Sequence, residues 1–416
     1  MKRHRFSYLI IVITGILILL LTRCMNGNDD ARNASTDKGF SEYAGSASCV
    51  SCHKAICDSL ASTAHFQTSA VANEKNIAGS FEPGKNQYHY PSGGAVAMEK
   101  SAGGLYQVGY LNDVEKKRQR FDMVIGSGTH GQSYATWNGN KLYQMPITYF
   151  TSANAWCNSP GYPNKLAFNR PITSRCMECH ATYLGKISPE SEEPESFDRN
   201  QVILGVDCER CHGPSAKHVQ FHTQNPAAKD PHEILALSAF TRTQSLDLCA
   251  LCHGGRLQKI KPSFQFKAGD KRSDFFVVDS TVPDVNTMDV HGNQYGLMAA
   301  SKCFRMSNTL TCNSCHSAHG NEKGNSALFS QRCLTCHSSG HDNTVTCKMT
   351  ATLGAAINTN CTGCHMPEQP SRAISVYLEG QNIPTPALMH THLIKAYPEA
   401  TKKMMAAFQK NLQRRL

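Results

Sequence analysis

The sequence predicts a mainly α fold with extensive loops and one small antiparallel β insertion. The pattern Cys-x-x-Cys-His occurs seven times along the 416 residues, and only 40% of those residues are hydrophobic. The chain has little apolar sequence between the copies of this pattern. Its core is therefore expected to include groups other than the polypeptide's own side chains. The insertion is predicted because residues 81–170 lack the pattern and contain segments that alternate as strands do.

Each copy of the pattern has the chemistry of a haem c attachment site. Two thiols one helical turn apart can add to the two vinyl groups on one porphyrin edge, and the adjacent imidazole becomes an axial iron ligand. The sequence therefore predicts seven covalently attached haems c. Numbered one to seven in chain order, the copies are Cys49, Cys52 and His53; Cys176, Cys179 and His180; Cys208, Cys211 and His212; Cys249, Cys252 and His253; Cys312, Cys315 and His316; Cys333, Cys336 and His337; and Cys361, Cys364 and His365.

Two other uses of paired cysteines fit the pattern less well. Zinc ribbons also contain Cys-x-x-Cys, but zinc does not require a histidine directly after the second cysteine in every copy. The two-residue spacing also favours redox or metal use over structural bridging. Because porphyrins are large apolar plates, we expect a multihaem cytochrome c fold that is organised by its covalent haems.

The net charge of +10 can indicate an anionic partner, but part of it belongs to the basic start of the chain. Haem propionates would add negative charge to the rest. Nucleic-acid binding is therefore not predicted, and the Lys and Arg side chains are expected to neutralise propionates.

Residues 1–24 are predicted to be a signal or anchor segment, because basic residues 2–5 precede an apolar run at residues 6–22. Haem c is attached outside the cytoplasmic membrane, so we expect export to the periplasmic side of that membrane or to the cell envelope. Cleavage, retention as an anchor helix, and lipidation of Cys24 all remain open. Membrane tethering is favoured, although Arg23 departs from the usual lipobox.

The rest of the chain divides by composition and by the spacing of the copies. Polar residues after the N-terminal segment predict a flexible linker. A long gap between the first and second copies predicts the β insertion. Short spacings between the last copies predict haems that are close neighbours. A periodic apolar pattern near the end predicts a C-terminal helix. The predicted regions are a flexible linker at 25–44, a first haem module at 45–80, the β-rich insertion at 81–170, haems two to four at 171–310, and haems five to seven with the C-terminal helix at 311–416.

Several strands can be predicted individually. Residues 106–110 and 121–125 are strand candidates, and a short strand pair is expected near residues 275–278. Residues 133–137 and 141–144 flank Asn-Gly-Asn, which predicts a hairpin turn.

Function depends on what occupies the distal axial position of each haem iron, opposite the histidine of the copy. A haem with His on both faces suits electron transfer, whereas an open face can bind substrate. Histidines are more numerous than the copies require, and one that lies shortly after its own copy can reach a neighbouring haem. The candidate distal ligands are His65, His130, His218, His291, His319 and His392. Cys-x-x-Cys-Lys, the pattern of the lysine-ligated haem of nitrite reductases, does not occur.

Several segments resemble the multihaem cytochromes related to the tetrahaem cytochrome that accepts electrons from hydroxylamine oxidoreductase, the cytochrome c-554/c-prime-like family. The resemblance covers most of residues 45–395 and implies electron transfer through a row of haems. Seven copies instead of four is a departure, and one family member has a five-coordinate haem. The matching segments are 48–53, 63–66, 205–218, 311–319 and 361–367, with 125–134, 159–162 and 170–173 resembling a β-containing insertion of larger members.

The predicted function is that of an exported heptahaem cytochrome that relays electrons between redox partner proteins, with no catalytic residue assigned. The alternative is a multihaem oxidoreductase that acts on a small nitrogen or sulfur compound at one open haem. Oligomeric state stays open. Cys57, Cys157, Cys303 and Cys347 can form disulfides or remain as thiols packed against porphyrin.

Overall fold

The structure, a computed structural model, describes residues 39–189, 191–277, 284–338 and 347–413. The predicted signal or anchor segment, including Cys24, and most of the predicted linker lie outside those ranges. Within them, no helix combines the length and the apolar character that crossing a bilayer requires.

The expectation of a mainly α fold is wrong, because the described structure has 32% helix and 25% strand, with many antiparallel sheets. The α-helices in the described ranges are α1 (Ser46–Ala61), α2 (Ser174–Glu178), α3 (Cys208–His212), α4 (Ala216–Gln224), α5 (Arg242–His253), α6 (Gln294–Ala299), α7 (Lys302–Met306), α8 (Ser326–His337), α9 (Thr350–Leu353), α10 (Cys361–His365) and α11 (Pro398–Gln413). The strands are β1 (Ser69–Val71), β2 (Gln87–His89), β3 (Ala95–Ser101), β4 (Gly104–Leu111), β5 (Val114–Arg120), β6 (Met123–Ile125), β7 (Gly131–Asn138), β8 (Lys141–Gln144), β9 (Ile147–Phe150), β10 (Ala155–Asn158), β11 (Arg170–Pro171), β12 (Ala181–Lys186), β13 (Phe197–Leu204), β14 (Gln258–Lys259), β15 (Phe276–Val277), β16 (Glu368–Val376) and β17 (Thr385–His390).

The larger sheet contains the predicted hairpin. Its strands follow the order β1-β6-β7-β8-β11, and β9 pairs with both β7 and β10. In the β7–β8 hairpin Asn138 pairs with Lys141, and Gly139 takes a φ of 57°, which the tight turn requires. Tyr134 of β7 is buried in the core shared by the two sheets, whereas Ala135 is buried in a separate cluster with Leu142, so β7 is covered on both faces.

The smaller sheet has the order β2-β3-β4-β5 and shares a core with the larger one. The strand predicted at residues 106–110 lies within β4, whereas only the end of the candidate at 121–125 is strand, as β6. Tyr88, Val96 and Met98 of the smaller sheet are fully buried in this shared core.

Three two-stranded ribbons lie outside the predicted insertion: β12–β13, β14–β15 and β16–β17. The β14–β15 ribbon confirms the strand pair expected near residues 275–278. The other two ribbons were not predicted, and the register of β16–β17 shifts between Pro370 and Ser375. Its Val376, Ala387 and Met389 are buried in the core of the two sheets, so packing outweighs weak local strand propensity.

Capping side chains explain where the pattern-bearing helices begin. Asp207 accepts a hydrogen bond from the Cys208 amide at 2.6 Å at the start of α3, and Thr241 and Gln244 form a capping box on α5. At the start of α10, Asn360 accepts from the Gly363 amide at 3.0 Å. The third and seventh copies thus occupy whole short helices, and the fourth occupies the last turn of α5.

Candidate haem-binding cavity

One cavity of about 3010 Å³ is lined by residues from six of the seven copies. The first copy is not part of the lining, and its Cys52 and His53 are exposed. Along the described chain, no three His, Cys, Asp or Glu side chains gather as a metal-binding cluster. The lining members are Cys176, Cys179, His180, Cys208, Cys211, His212, Cys249, Cys252, His253, Cys312, Cys315, His316, Cys333, His337, Cys361, Cys364 and His365.

Four of the seven pattern histidines have a hydrogen-bond partner at Nδ1. A carbonyl or amide oxygen there accepts from Nδ1, so that the Nε2 lone pair is free to bind a metal. The partners are Gln294 Oε1 for His253 at 3.1 Å, the Leu235 carbonyl for His212 at 3.4 Å, the Lys395 carbonyl for His365 at 3.2 Å and, for His180 at 3.0 Å, the Thr68 hydroxyl, which can donate or accept.

Four pattern histidines also face a second imidazole. With about 2 Å for each metal–imidazole bond, two rings on opposite faces of one iron have centroids roughly 6 Å apart. The observed spacings match that value. The pairs are His53–His218 at 6.5 Å, His253–His65 at 6.1 Å, His212–His319 at 6.1 Å and His316–His392 at 6.1 Å.

Burial favours the neutral form, which is the form that binds metal, in several of the imidazoles that line the cavity. Burial lowers the pKa of His180, His212 and His253 below the ordinary value. It lowers the pKa of His291 and that of His392 to about 4. The donor set, the ring spacing and the protonation state therefore fit axial ligation of haem iron.

Thiols of different copies lie next to each other. In each of four pairs, the cysteine side chains of two different copies lie close enough to interact. Each pair joins two copies, so the attachment points of two haems are adjacent. The pairs are Cys49–Cys208, Cys179–Cys252, Cys312–Cys249 and Cys361–Cys333.

Comparison with known proteins agrees with this chemistry. Residues 128–213, which include the second and third copies, match the family described as cytochrome c554 and c-prime. The fold resembles that of the outer cell wall cytochrome OcwA, with a TM-score of 0.51 over 87% of this chain and 81% of that chain, at 16% identity. Both matches support a multihaem cytochrome c, as the seven copies of the attachment pattern predict. No curated protein sequence is significantly similar to it.

The matched family implies covalent haem c, which the cysteines of the copies would hold. The structure brings His65, His218, His319 and His392 opposite pattern histidines of the fourth, first, third and fifth copies. In each case the facing histidine lies outside the copy that it approaches.

Two further candidates, His130 and His291, line the cavity without facing a pattern histidine at this spacing. Among the described residues, the pattern histidines His180, His337 and His365 also have no facing imidazole at this spacing. His180 and His130 both interact electrostatically with His291, so the three belong to one part of the cavity.

The cavity lining carries more basic than acidic side chains, as expected if the cytochrome must neutralise haem propionates. Asp207 and Glu322 are the lining acids among the described residues. The lining bases are Arg170, Arg210, Lys302, Lys323, Lys348 and Lys395.

Within the part of the chain that the structure describes, the four cysteines outside the copies are free thiols. Cys157 is fully buried in the sheet core, where its thiol donates to the Thr148 carbonyl at 3.4 Å. Cys303 and Cys347 line the cavity, and Cys57 contacts Cys208.

Sequence reasoning missed the side chains that hold the pattern histidines, above all Thr68 and Gln294. A threonine and a glutamine far along the chain carry no pattern that marks them, because only the fold brings them to His180 and His253.

Proposed function

We propose that this cytochrome is exported, carries seven haems c, and relays electrons between redox partner proteins. A membrane tether at its N-terminal segment would hold it on the periplasmic side of the cytoplasmic membrane or in the cell envelope. The observation that carries the proposal is that every copy lies beside at least one other copy.

The thiol contacts give the order of the proposed relay. Adjacent cysteine side chains join the first copy to the third, the second to the fourth, the fourth to the fifth and the sixth to the seventh. Electrostatic interactions link Cys211 to Cys249 and Cys315 to Cys333, which joins the third copy to the fourth and the fifth to the sixth. The proposed path therefore runs 1-3-4-5-6-7, with the second copy on a branch at the fourth.

Intact mass of the exported protein tests haem number and processing together. We expect seven covalent haem additions, with the N-terminal segment retained, cleaved or acylated at Cys24. A potentiometric titration should then show reduction of all haems by one soluble electron donor. A colourless product without covalent haem mass would end the proposal, and fewer than seven additions would contradict the haem number.

A second candidate function is supported by the region around His180. The Nδ1 of this ring is held by Thr68, yet no imidazole among the described residues faces it at the ligand-pair spacing. His130, His291, Arg170 and Lys323 line the same cavity, and positive or hydrogen-bonding side chains suit a small anion. We infer an oxidoreductase acting on a small nitrogen or sulfur compound as the alternative to a pure electron carrier.

Spectra of the ferric holoprotein distinguish the two candidates. An open haem predicts a high-spin signal that shifts when nitrite or hydroxylamine is added. A purely low-spin spectrum that ignores both additions would remove the second candidate and leave the electron carrier.

A further inference from the structure

Gln294 holds the histidine of the fourth copy in a way that no other described residue repeats for a pattern histidine. Of the four Nδ1 partners, it is the only side-chain amide; the others are a hydroxyl, which can donate or accept, and two backbone carbonyls. An amide oxygen accepts as strongly as a backbone carbonyl, but a substitution can alter it without touching the main chain.

A second hydrogen bond fixes the orientation of this amide. Gln294 Nε2 donates to the Val290 carbonyl at 3.2 Å, while Oε1 lies 3.1 Å from His253 Nδ1. A flipped amide would set two oxygens against each other at Val290 and would present N–H groups to Nδ1. The orientation therefore keeps the proton on Nδ1 and the lone pair on Nε2, towards the cavity.

The backbone around Gln294 is anchored to the end of the helix that carries His253. Gly255, two residues after His253, donates to the Gly292 carbonyl at 2.6 Å. Asn293 caps α6 by accepting from the Gly296 amide at 3.2 Å. The start of α6 and the end of α5 thus form one joint, which sets the distance between Gln294 and His253.

The fourth copy occupies the branch of the proposed relay. Its cysteines lie next to cysteines of the second and fifth copies, and Cys249 also lies near Cys211 of the third. His253 also faces His65, which follows the first copy, with ring centroids 6.1 Å apart and planes 65° apart. A change in the potential of this haem therefore affects exchange with several neighbours.

We propose that Gln294 is a positioning residue that sets the reduction potential of the haem held by His253. A stronger acceptor at Nδ1 makes the imidazole a better electron donor to iron and stabilises the ferric state; a lost acceptor does the reverse. The inference rests on the proposed function, because the haem of the fourth copy is the junction of the proposed relay. Gln294 would set the reduction potential of that haem.

The test compares Gln294→Glu with Gln294→Leu in the haem-loaded protein. We expect one haem potential to fall in Gln294→Glu and to rise in Gln294→Leu. The expected size is about tenfold in the exchange equilibrium with a neighbouring haem, or about 59 mV for a one-electron couple. The ferric EPR signal identifies the haem, because the crossed ring planes of His253 and His65 set it apart from the more parallel pairs.

Gln244→Leu is the matched control. Gln244 lies on the same helix as His253 but donates to the Gly269 carbonyl at 3.0 Å, so its loss perturbs α5 without removing an Nδ1 acceptor. No single haem potential should move in Gln244→Leu. A loosened α5 would shift the potentials of all the haems together.

Equal potentials in all variants, or shifts of the same sign in Gln294→Glu and Gln294→Leu, overturn the inference. If both variants lose the fourth haem, proton NMR of the unmodified ferric protein decides. A slowly exchanging, hyperfine-shifted ring N–H on this haem supports the hydrogen bond, and a rapidly exchanging one overturns it. Absence of covalent haem from the unmodified protein would instead defeat the proposed function itself.

Discussion

His212 and His319 form the most parallel of the four imidazole pairs, with ring planes 7° apart and centroids 6.1 Å apart. His319 lies three residues after His316, in the fifth copy, yet it faces the third. His319 would therefore occupy the second axial position of the third haem and would link the third copy to the fifth. If both rings bind the same iron, loss of either leaves an open axial position.

Replacing His319 tests this arrangement at the scale of one residue. His319→Ala should give a new high-spin ferric signal for a single haem, because His212 still binds the opposite face. His89→Ala is the control, since His89 is exposed and pairs with Glu379 at 2.7 Å. EPR of the ferric holoproteins measures the outcome. An unchanged low-spin spectrum in His319→Ala would exclude His319 as a ligand.

The same scale shows which site residues a sequence can reveal. His218 and His319 stand out because each lies shortly after a copy whose own iron it cannot reach from the opposite face. The structure brings both opposite histidines of other copies, while their binding of iron stays a prediction. Thr68 and Gln294 could not be predicted, because their role depends on tertiary contacts with His180 and His253.

At the scale of elements, a buried carboxylate joins the helix of the first copy to that of the third. Glu209, within the third copy, is 3% exposed. It accepts hydrogen bonds at 2.8 Å from the Ala44 and Gly45 amides, just before α1, and from the Ser215 amide and hydroxyl. Since a carboxylate is an acceptor at both oxygens, it satisfies amides on both sides.

Glu209→Gln should destabilise the junction between α1 and α3. The amide keeps one acceptor but presents N–H groups to a backbone N–H, and hydrogen bonds to charged groups contribute roughly 1.5–3 kcal/mol each. We expect a loss of that order in the free energy of unfolding, measured by denaturant titration of the holoprotein. Glu82→Gln, at an exposed ion pair with Lys85, is the control. Equal losses in both variants would contradict the role of Glu209.

A second link joins the fifth copy to the helix of the sixth. Arg332 on α8 donates to the Cys315 carbonyl and to Glu322 Oε2, both at 2.7 Å, and Glu322 also accepts from the Ser317 amide at 2.9 Å. The hydrogen bonds from Arg332 lower the pKa of Glu322 from 4.5 to about 2. The folded state therefore favours the ionised carboxylate.

This lowered pKa predicts a pH-dependent contribution to stability. The contribution is fully present above pH 4.5, the value for the unfolded chain, and is lost as pH falls towards about 2. The difference in unfolding free energy between the unmodified protein and Glu322→Gln should therefore shrink over that range. Comparing the two proteins at each pH removes acid effects that both share. A difference that stays constant down to pH 2 would show that the carboxylate charge does not stabilise the link.

The elements that sequence reasoning found are those with local signals. The β7–β8 hairpin depends on the turn at Gly139, and α11 on a periodic apolar face. The β12–β13 and β16–β17 ribbons have no such local signal. Their strands are stabilised by tertiary contacts, in which side chains such as Phe197 and Val376 are buried. A helical turn within each copy also does not make a long helix: α3 and α10 have five residues each.

At the scale of the whole molecule, the spatial order of the copies differs from their order in the chain. The first copy contacts the third, and the second contacts the fourth, so neighbours in sequence are interleaved in space. The fourth copy interacts with the second, third and fifth. Its removal would break the proposed relay in the middle, whereas the seventh copy interacts with the sixth at one end.

Removing one attachment site at a time tests this interleaved order. Cys249→Ala with Cys252→Ala should lower the intact mass by one haem and split reduction into a fast and a slow phase, because electrons must cross a gap beside the third, second and fifth copies. Cys361→Ala with Cys364→Ala is the matched control, and it should lose one haem without adding a slow phase. Stopped-flow reduction of both holoproteins by the same donor measures the phases. Identical kinetics in the two variants would mean that the fourth copy is not the junction, and that electrons enter or cross the row by another path.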